Sequence, residues 1–137
     1  MEAKLSPDYA NRLISRTALA VAYASAGRTA KAISLHEATL ARMEATQGPD
    51  HPSVRQSRSD LASTYESLGR WSNALALWRK NLASRRKIDK PDSLLIAAEL
   101  AGLGSNLLKQ SKWSEAELIL RECLFLEELP DDVFARP

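Results

Sequence analysis

Cysteine is almost missing from this chain: Cys123 stands alone among 137 residues. No internal disulfide can form, and a zinc site built on several cysteines is excluded. Histidine is nearly as scarce. His36 and His51 are the only two, and they are not at metal-ligand spacing. Glycine and proline number 5 and 6, too few for a low-complexity linker. No apolar run approaches the roughly 20 residues a membrane helix needs. The opening "MEAKLSPDY" lacks the apolar core of a secretory signal. Neither sign of charge dominates: the net charge is +2, too small to argue by itself for nucleic acid or membrane partners. The expected setting is the reducing cytoplasm of a cell.

What is present is periodicity. Apolar content of 45% and charged content of 26% fit a folded chain. The stretches "YASAGRTAKAISLH", "YESLGRWSNALALW" and "LLKQSKWSEAELIL" begin at Tyr23, Tyr65 and Leu107, 42 residues apart each time. A fixed period of this size signals a stacked helical repeat. Three units are expected, over residues 7–48, 49–90 and 91–132. All belong to one domain, 1–137, with 133–137 as a tail or the start of a further unit.

The middle unit shows the local logic. Pro52 suits a first helical turn, with Asp50 or His51 as cap. Leu61, Tyr65 and Leu68 recur on one helical face. Gly69 then stops the helix, because it adopts a left-handed conformation cheaply. Ala74, Leu77, Trp78, Leu82 and Arg85 form one stripe of a returning helix, and so short a turn makes the two helices antiparallel. The other copies repeat this grammar, with Ser6 and Pro7 opening the first. Small residues recur at Ala20/Ala62/Gly104 and Ala32/Ala74/Ala116. Large ones recur at Leu19/Leu61/Leu103 and Leu40/Leu82/Leu124. Arg28, Arg70 and Lys112 follow the stop residue and are expected to meet the last carbonyls of the preceding helix.

On these residues the chain resembles the tetratricopeptide repeat (TPR) family. "LASTYESLGRWSNAL" and "LAVAYASAGRTAKAI" carry its L-[GA]-x₂-Y…G…A pattern, and "LGSNLLKQSKWSEAE" keeps the small residues. The long period and the "GPDHP" linker resemble the kinesin-light-chain variety found also in bacterial homologues. The resemblance implies an all-α fold, an α-α superhelix (solenoid) of three TPR helix-turn-helix units. It also implies a concave face, lined by the first helix of each pair, that holds a protein or peptide. Carried over residue by residue, that face is Ile14, Thr17, Val21 and Ala24, then Gln56, Ser59, Ser63 and Glu66, then Ala98, Ala101, Ser105 and Leu108. The lysines and asparagines of the family's carboxylate clamp are missing there. A small, mostly neutral groove remains, suited to an apolar peptide or helix. The alternative is that these residues are simply small enough for helices to pack.

The implied function is a non-catalytic protein-interaction scaffold, with no cofactor and no metal. The alternative is a regulatory or sensor segment of a larger bacterial signalling protein such as a kinase. Leu118, Ile119, Leu120, Leu124, Phe125 and Leu126 make the last helix apolar nearly all round. A fragment of a longer array and self-association through that end are the expectations drawn from it. Asp131-Asp132 and Val133-Phe134 read as the opening of another unit.

Candidate chemistry is thin. His36 falls on the core position shared with Trp78 and Leu120. His51 reads as a helix-start residue. Cys123 lies at a helix–helix contact, with no base in the pattern to activate it. "GLGSN" at Gly102 sits inside a helix and follows no strand, so a phosphate loop is discounted. Arg79, Lys80, Arg85, Arg86, Lys87 and Lys90 could form a phosphate-binding stripe, but no aromatic platform interleaves them. A solvated outer face is expected, and no nucleic acid partner. Trp71 and Trp113 are expected to pack against neighbouring helices.

Overall fold

The computed structural model describes residues 7–91 and 93–129. The described residues form six α-helices: α1 (Pro7–Ser25), α2 (Thr29–Gln47), α3 (Pro52–Ser67), α4 (Trp71–Ile88), α5 (Leu94–Lys109) and α6 (Trp113–Glu127). The sequence period is written into their bounds. Thr29, Trp71 and Trp113 open the second helices at steps of 42, and Pro52 and Leu94 open two of the first helices at the same step. The chain divides into two compact units at Arg70/Trp71. Ser6 and residues 131–134, singled out above, lie outside the described residues.

In the first unit α1 packs on α2, and α2 on α3. The row of small residues makes this close approach possible: Ala20, Ala32 and Ala62 are fully buried. Leu13, Ile33, Leu40, Met43, Val54 and Leu61 fill the space around them. His51 caps α3, its Nδ1 accepting from the Ser53 N–H at 3.1 Å, with Pro52 in the first turn. α3 also buries two arginines that periodicity did not single out. Arg58 reaches Glu44 at 3.3 Å, and Arg55 donates to the Asp50 carbonyl at 2.6 Å.

In the second unit α5 lies between α4 and α6. Leu75, Leu82, Ile96, Leu100, Leu103, Leu107, Ala116, Cys123 and Leu126 make one core. Ser93 caps α5 by accepting from the Leu95 N–H at 3.1 Å. Glycine replaces alanine at position 104 because Leu120 occupies the space. A Cβ added there would lie 2.3 Å from a Leu120 methyl, well inside van der Waals contact. The neighbouring Gly102 lets the Trp78 ring rest on the α5 backbone. "GLGSN" is thus part of a helix, and its glycines serve packing.

The turns repeat atom by atom. The N–H groups of Arg28, Arg70 and Lys112 donate to the carbonyls of Tyr23, Tyr65 and Leu107 at 2.8, 2.9 and 3.0 Å. The preceding residue closes a shorter ring: Gly27 to Ala24, Gly69 to Glu66 and Ser111 to Leu108. This is the Schellman arrangement, and it requires a left-handed residue. Gly27 and Gly69 supply it at φ 79° and 73°, while Ser111 is held at φ 58°. The cations expected at the last carbonyls therefore act through their backbone, and the Arg70 guanidinium lies over the Tyr65 ring at 5.0 Å. A side chain in the left-handed region costs roughly 1–2 kcal/mol. Ser111→Gly is expected to stabilise the chain by about 1 kcal/mol, read as a higher urea midpoint at unchanged slope. An unchanged or lower midpoint refutes this account of the turn.

Two packing expectations are corrected. Leu124 is 54% exposed, although the matched Leu40 and Leu82 are buried. Trp113 is 63% exposed, whereas Trp71 is half-buried and its carbonyl accepts from Asn106 at 3.0 Å. The reason is common to both. α2 is covered by α3 and α4 by α5, but no described helix follows α6.

Candidate protein-interaction surface

α1 and α3 lie side by side in the first unit. On α1, positions 21 and 24 share a face. On α3, positions 60, 63 and 67 share one, at steps of three and four. These two faces line a pocket of about 330 Å³ formed by Val21, Ala24, Ser25, Asp60, Ser63, Thr64 and Ser67. Val21, Ala24 and Ser63 are three of the positions carried over from the family pattern. Ser25, Asp60, Thr64 and Ser67 were missed, although 60, 63 and 67 stand at helical spacing and could have been read from it.

The pocket is rich in hydrogen-bond acceptors. Thr64 Oγ1 donates to the Asp60 carbonyl at 2.9 Å, and Ser67 Oγ to the Thr64 carbonyl at 2.7 Å. Hydroxyls whose protons are spent on the backbone offer lone pairs to a visitor. Asp60 adds a carboxylate, held by the Gln56 amide at 3.0 Å. Both pocket helices present small side chains here, so a partner backbone can approach closely.

The other carried-over residues are dispersed. Ile14 is exposed, and Thr17 is half-buried with its hydroxyl on the Leu13 carbonyl. Gln56 is exposed. Ser59 is half-buried and donates to the Arg55 carbonyl, and Glu66 is half-buried. Ala98, Ser105 and Leu108 are exposed on α5 in the second unit, while Ala101 packs against its core.

The remaining candidates are accounted for by packing and pairing. His36 is fully buried on α2, and neither ring nitrogen has a hydrogen-bond partner among the described residues. Burial pushes its pKa below the ordinary value, partly opposed by the Asp60 charge. Cys123 is buried and donates to the Ala97 carbonyl at 3.3 Å. Burial first, then Glu127, pushes its thiol pKa up, away from the nucleophilic thiolate. On the basic stripe of α4, Arg79 pairs with Glu115 at 3.2 Å, Arg86 with Glu122, and Arg85 with Glu99 at 3.6 Å. Among the described residues no group of three or more His, Cys, Asp and Glu could hold a metal ion. No described helix is long and apolar enough to cross a membrane.

A tetratricopeptide repeat family model matches residues 11–77 and again 59–124. The chain belongs to the tetratricopeptide repeat family. Solved structures resemble this repeat chain closely. A kinesin light chain of Podosopora anserina with nearly identical TPR-like repeats matches with a TM-score of 0.74 and 25% identity. A related crystal structure of the same kind gives 0.72 and 25%. Each match covers 85% of this chain and 55% of the other. BtubC (BKLC) from P. vanneervenii gives a TM-score of 0.78 at 20% identity, over 93% of this chain and 50% of that one. The repeat chain thus spans about half the length of these kinesin-light-chain-like structures. No curated protein matches it. The family generally mediates protein–protein interaction, and the all-α helical repeat is the fold that such interactions use.

Proposed function

We propose that the chain is a non-catalytic interaction scaffold, and that the α1–α3 pocket takes a segment of a partner protein. What supports this is the convergence of Val21, Ala24 and Ser63 on one pocket, at positions the repeat register marks as concave. The lining describes the segment: small or apolar side chains against Val21 and Ala24, and a hydrogen-bond donor, such as a lysine or arginine, toward Asp60.

The test is selection of binding peptides from a displayed library on the wild-type chain. The selected peptides are then titrated against Ser63→Arg and against Lys80→Ala, which lies on α4 away from the pocket. Ser63 is exposed, so arginine is tolerated by the fold while its bulk fills the pocket and its charge opposes basic peptides. The expected loss is about tenfold or more in affinity for Ser63→Arg, or ~1.4 kcal/mol, and none for Lys80→Ala. Equal binding to both variants, with unchanged circular dichroism, refutes the pocket as the working surface.

A further inference from the structure

We infer that copies of this chain associate head to tail, the exposed face of α6 in one copy seating on the exposed face of α1 in the next, as α2 seats on α3. This surface is separate from the α1–α3 pocket, so the inference stands or falls independently of the proposed peptide binding.

The template lies within the units. Where α2 meets α3, Leu40 and Leu61 are buried, Glu44 bridges Arg58 at 3.3 Å, and the Glu37 carboxylate accepts the Tyr65 hydroxyl. Where α4 meets α5, Leu82 and Leu103 share the core, and Arg85 bridges Glu99 at 3.6 Å. Both contacts follow one plan: leucine against leucine in the middle, with an ion pair toward one end.

The repeat period carries this plan to the two open faces. Leu40 and Leu82 are matched by Leu124, and Glu44 by Glu128. On the receiving side Leu61 is matched by Leu19, Arg58 by Arg16, and Tyr65 by Tyr23. Leu124 is 54% exposed and Leu19 46%, against 7% and 2% for Leu40 and Leu61. A junction in the α2–α3 register therefore buries Leu124 against Leu19. It sets Glu128 against Arg16 as Glu44 is set against Arg58. Arg121 replaces Glu37 and can donate to the Tyr23 hydroxyl. Beside Leu19 and Tyr23 a pocket of about 600 Å³, also lined by Leu35, leaves room for the apolar side chains of α6.

Charge decides which faces can meet. Near this contact α6 carries Glu127 and Glu128, and α1 carries Arg12 and Arg16 on the face of Leu19. Two α6 faces would oppose like charges, as would two α1 faces, and such juxtapositions suppress the wrong pairing. The complementary pairing is heterologous. A heterologous contact does not end at two copies; it forms a ring or an open chain.

Sedimentation velocity of this chain over a wide concentration range tests the inference. The weight-average mass is expected to rise past that of a dimer. Leu124→Asp is expected to return it to the monomer, and circular dichroism must confirm that the exposed substitution leaves the helices intact. Arg16→Glu and Glu128→Arg each put like charges across the junction and are expected to weaken association roughly fivefold. Mixing these two variants restores opposite charge at every junction between unlike copies, so association should return in the mixture. A monomer at all concentrations overturns the inference, as does a mass that saturates at two copies, or a mixture no more associated than its components. A chain whose own terminal segments cover these faces gives the first of those outcomes.

Discussion

Leu100→Ala is expected to cost the second unit about 2–5 kcal/mol. Leu100 is fully buried near the middle of α5, the helix that packs on both α4 and α6. Its neighbours in the core come from all three helices: Leu75 and Leu82, Ile96 and Leu103, and Leu126. Alanine keeps the helix, since its propensity is at least as good, so the loss reports packing rather than local structure. The three surrounding helices hold the cavity open, because none can close on it without leaving its other contacts. Urea unfolding followed by circular dichroism measures the cost. Leu118→Ala is the control, because that side chain is 71% exposed, and its change should stay within ~0.5 kcal/mol. Equal costs at the two sites refute the packing described for α5.

The second large effect has the opposite sign. His36→Leu is expected to stabilise the first unit by roughly 1–3 kcal/mol at neutral pH. His36 is fully buried, and both ring nitrogens lack hydrogen-bond partners among the described residues. A neutral imidazole carries one donor and one acceptor, and leaving them dry forfeits the hydration they had in the unfolded chain. The matched positions in the other units hold Trp78 and Leu120, so the site accepts an apolar side chain. The pH dependence separates this cause from packing alone. Burial lowers the native pKa of His36, with Asp60 on α3 opposing in part, while the unfolded chain titrates near 6.5. The unfolded state therefore takes up the proton first as pH falls. The stability of the neutral histidine is fully present above pH 6.5 and is lost through the window between 6.5 and the lowered native value. The advantage of His36→Leu should accordingly widen as the solution is taken from neutral to mildly acid pH, measured by urea midpoints of both proteins. A constant difference would mean that His36 is protonated in the fold, or is hydrated there.

The repeat was legible because its signals are local. Gly27 and Gly69 mark turns that need a left-handed residue, and Pro52 and His51 mark a helix start through bonds that reach two or three residues along the chain. The alternation of Ala20, Ala62 and Gly104 with large neighbours predicted close helix packing, and all three are buried. The candidate pocket was legible in part. Val21, Ala24 and Ser63 followed from register, but Asp60 did not, because a charged residue on a helix face gives no sign of which neighbour it will face. Arg58 was missed for a related reason. A long cationic side chain reads as solvent-exposed until a partner such as Glu44 is known to lie beside it.

By itself the sequence determined the helical repeat, its period, the places where the chain turns and which side of each helix is apolar. All of these arise from backbone preferences and helical spacing within a few residues. Burial was decided by the tertiary structure. Leu40, Leu82 and Leu124 are the same residue at the same place in the repeat, yet two are under cover and the third is open. Leu61 and Leu19 differ in the same way. A leucine is buried when another helix arrives over it, and that arrival depends on which elements adjoin in space. The same fact leaves the faces of α1 and α6 as the surfaces on which a further partner can act.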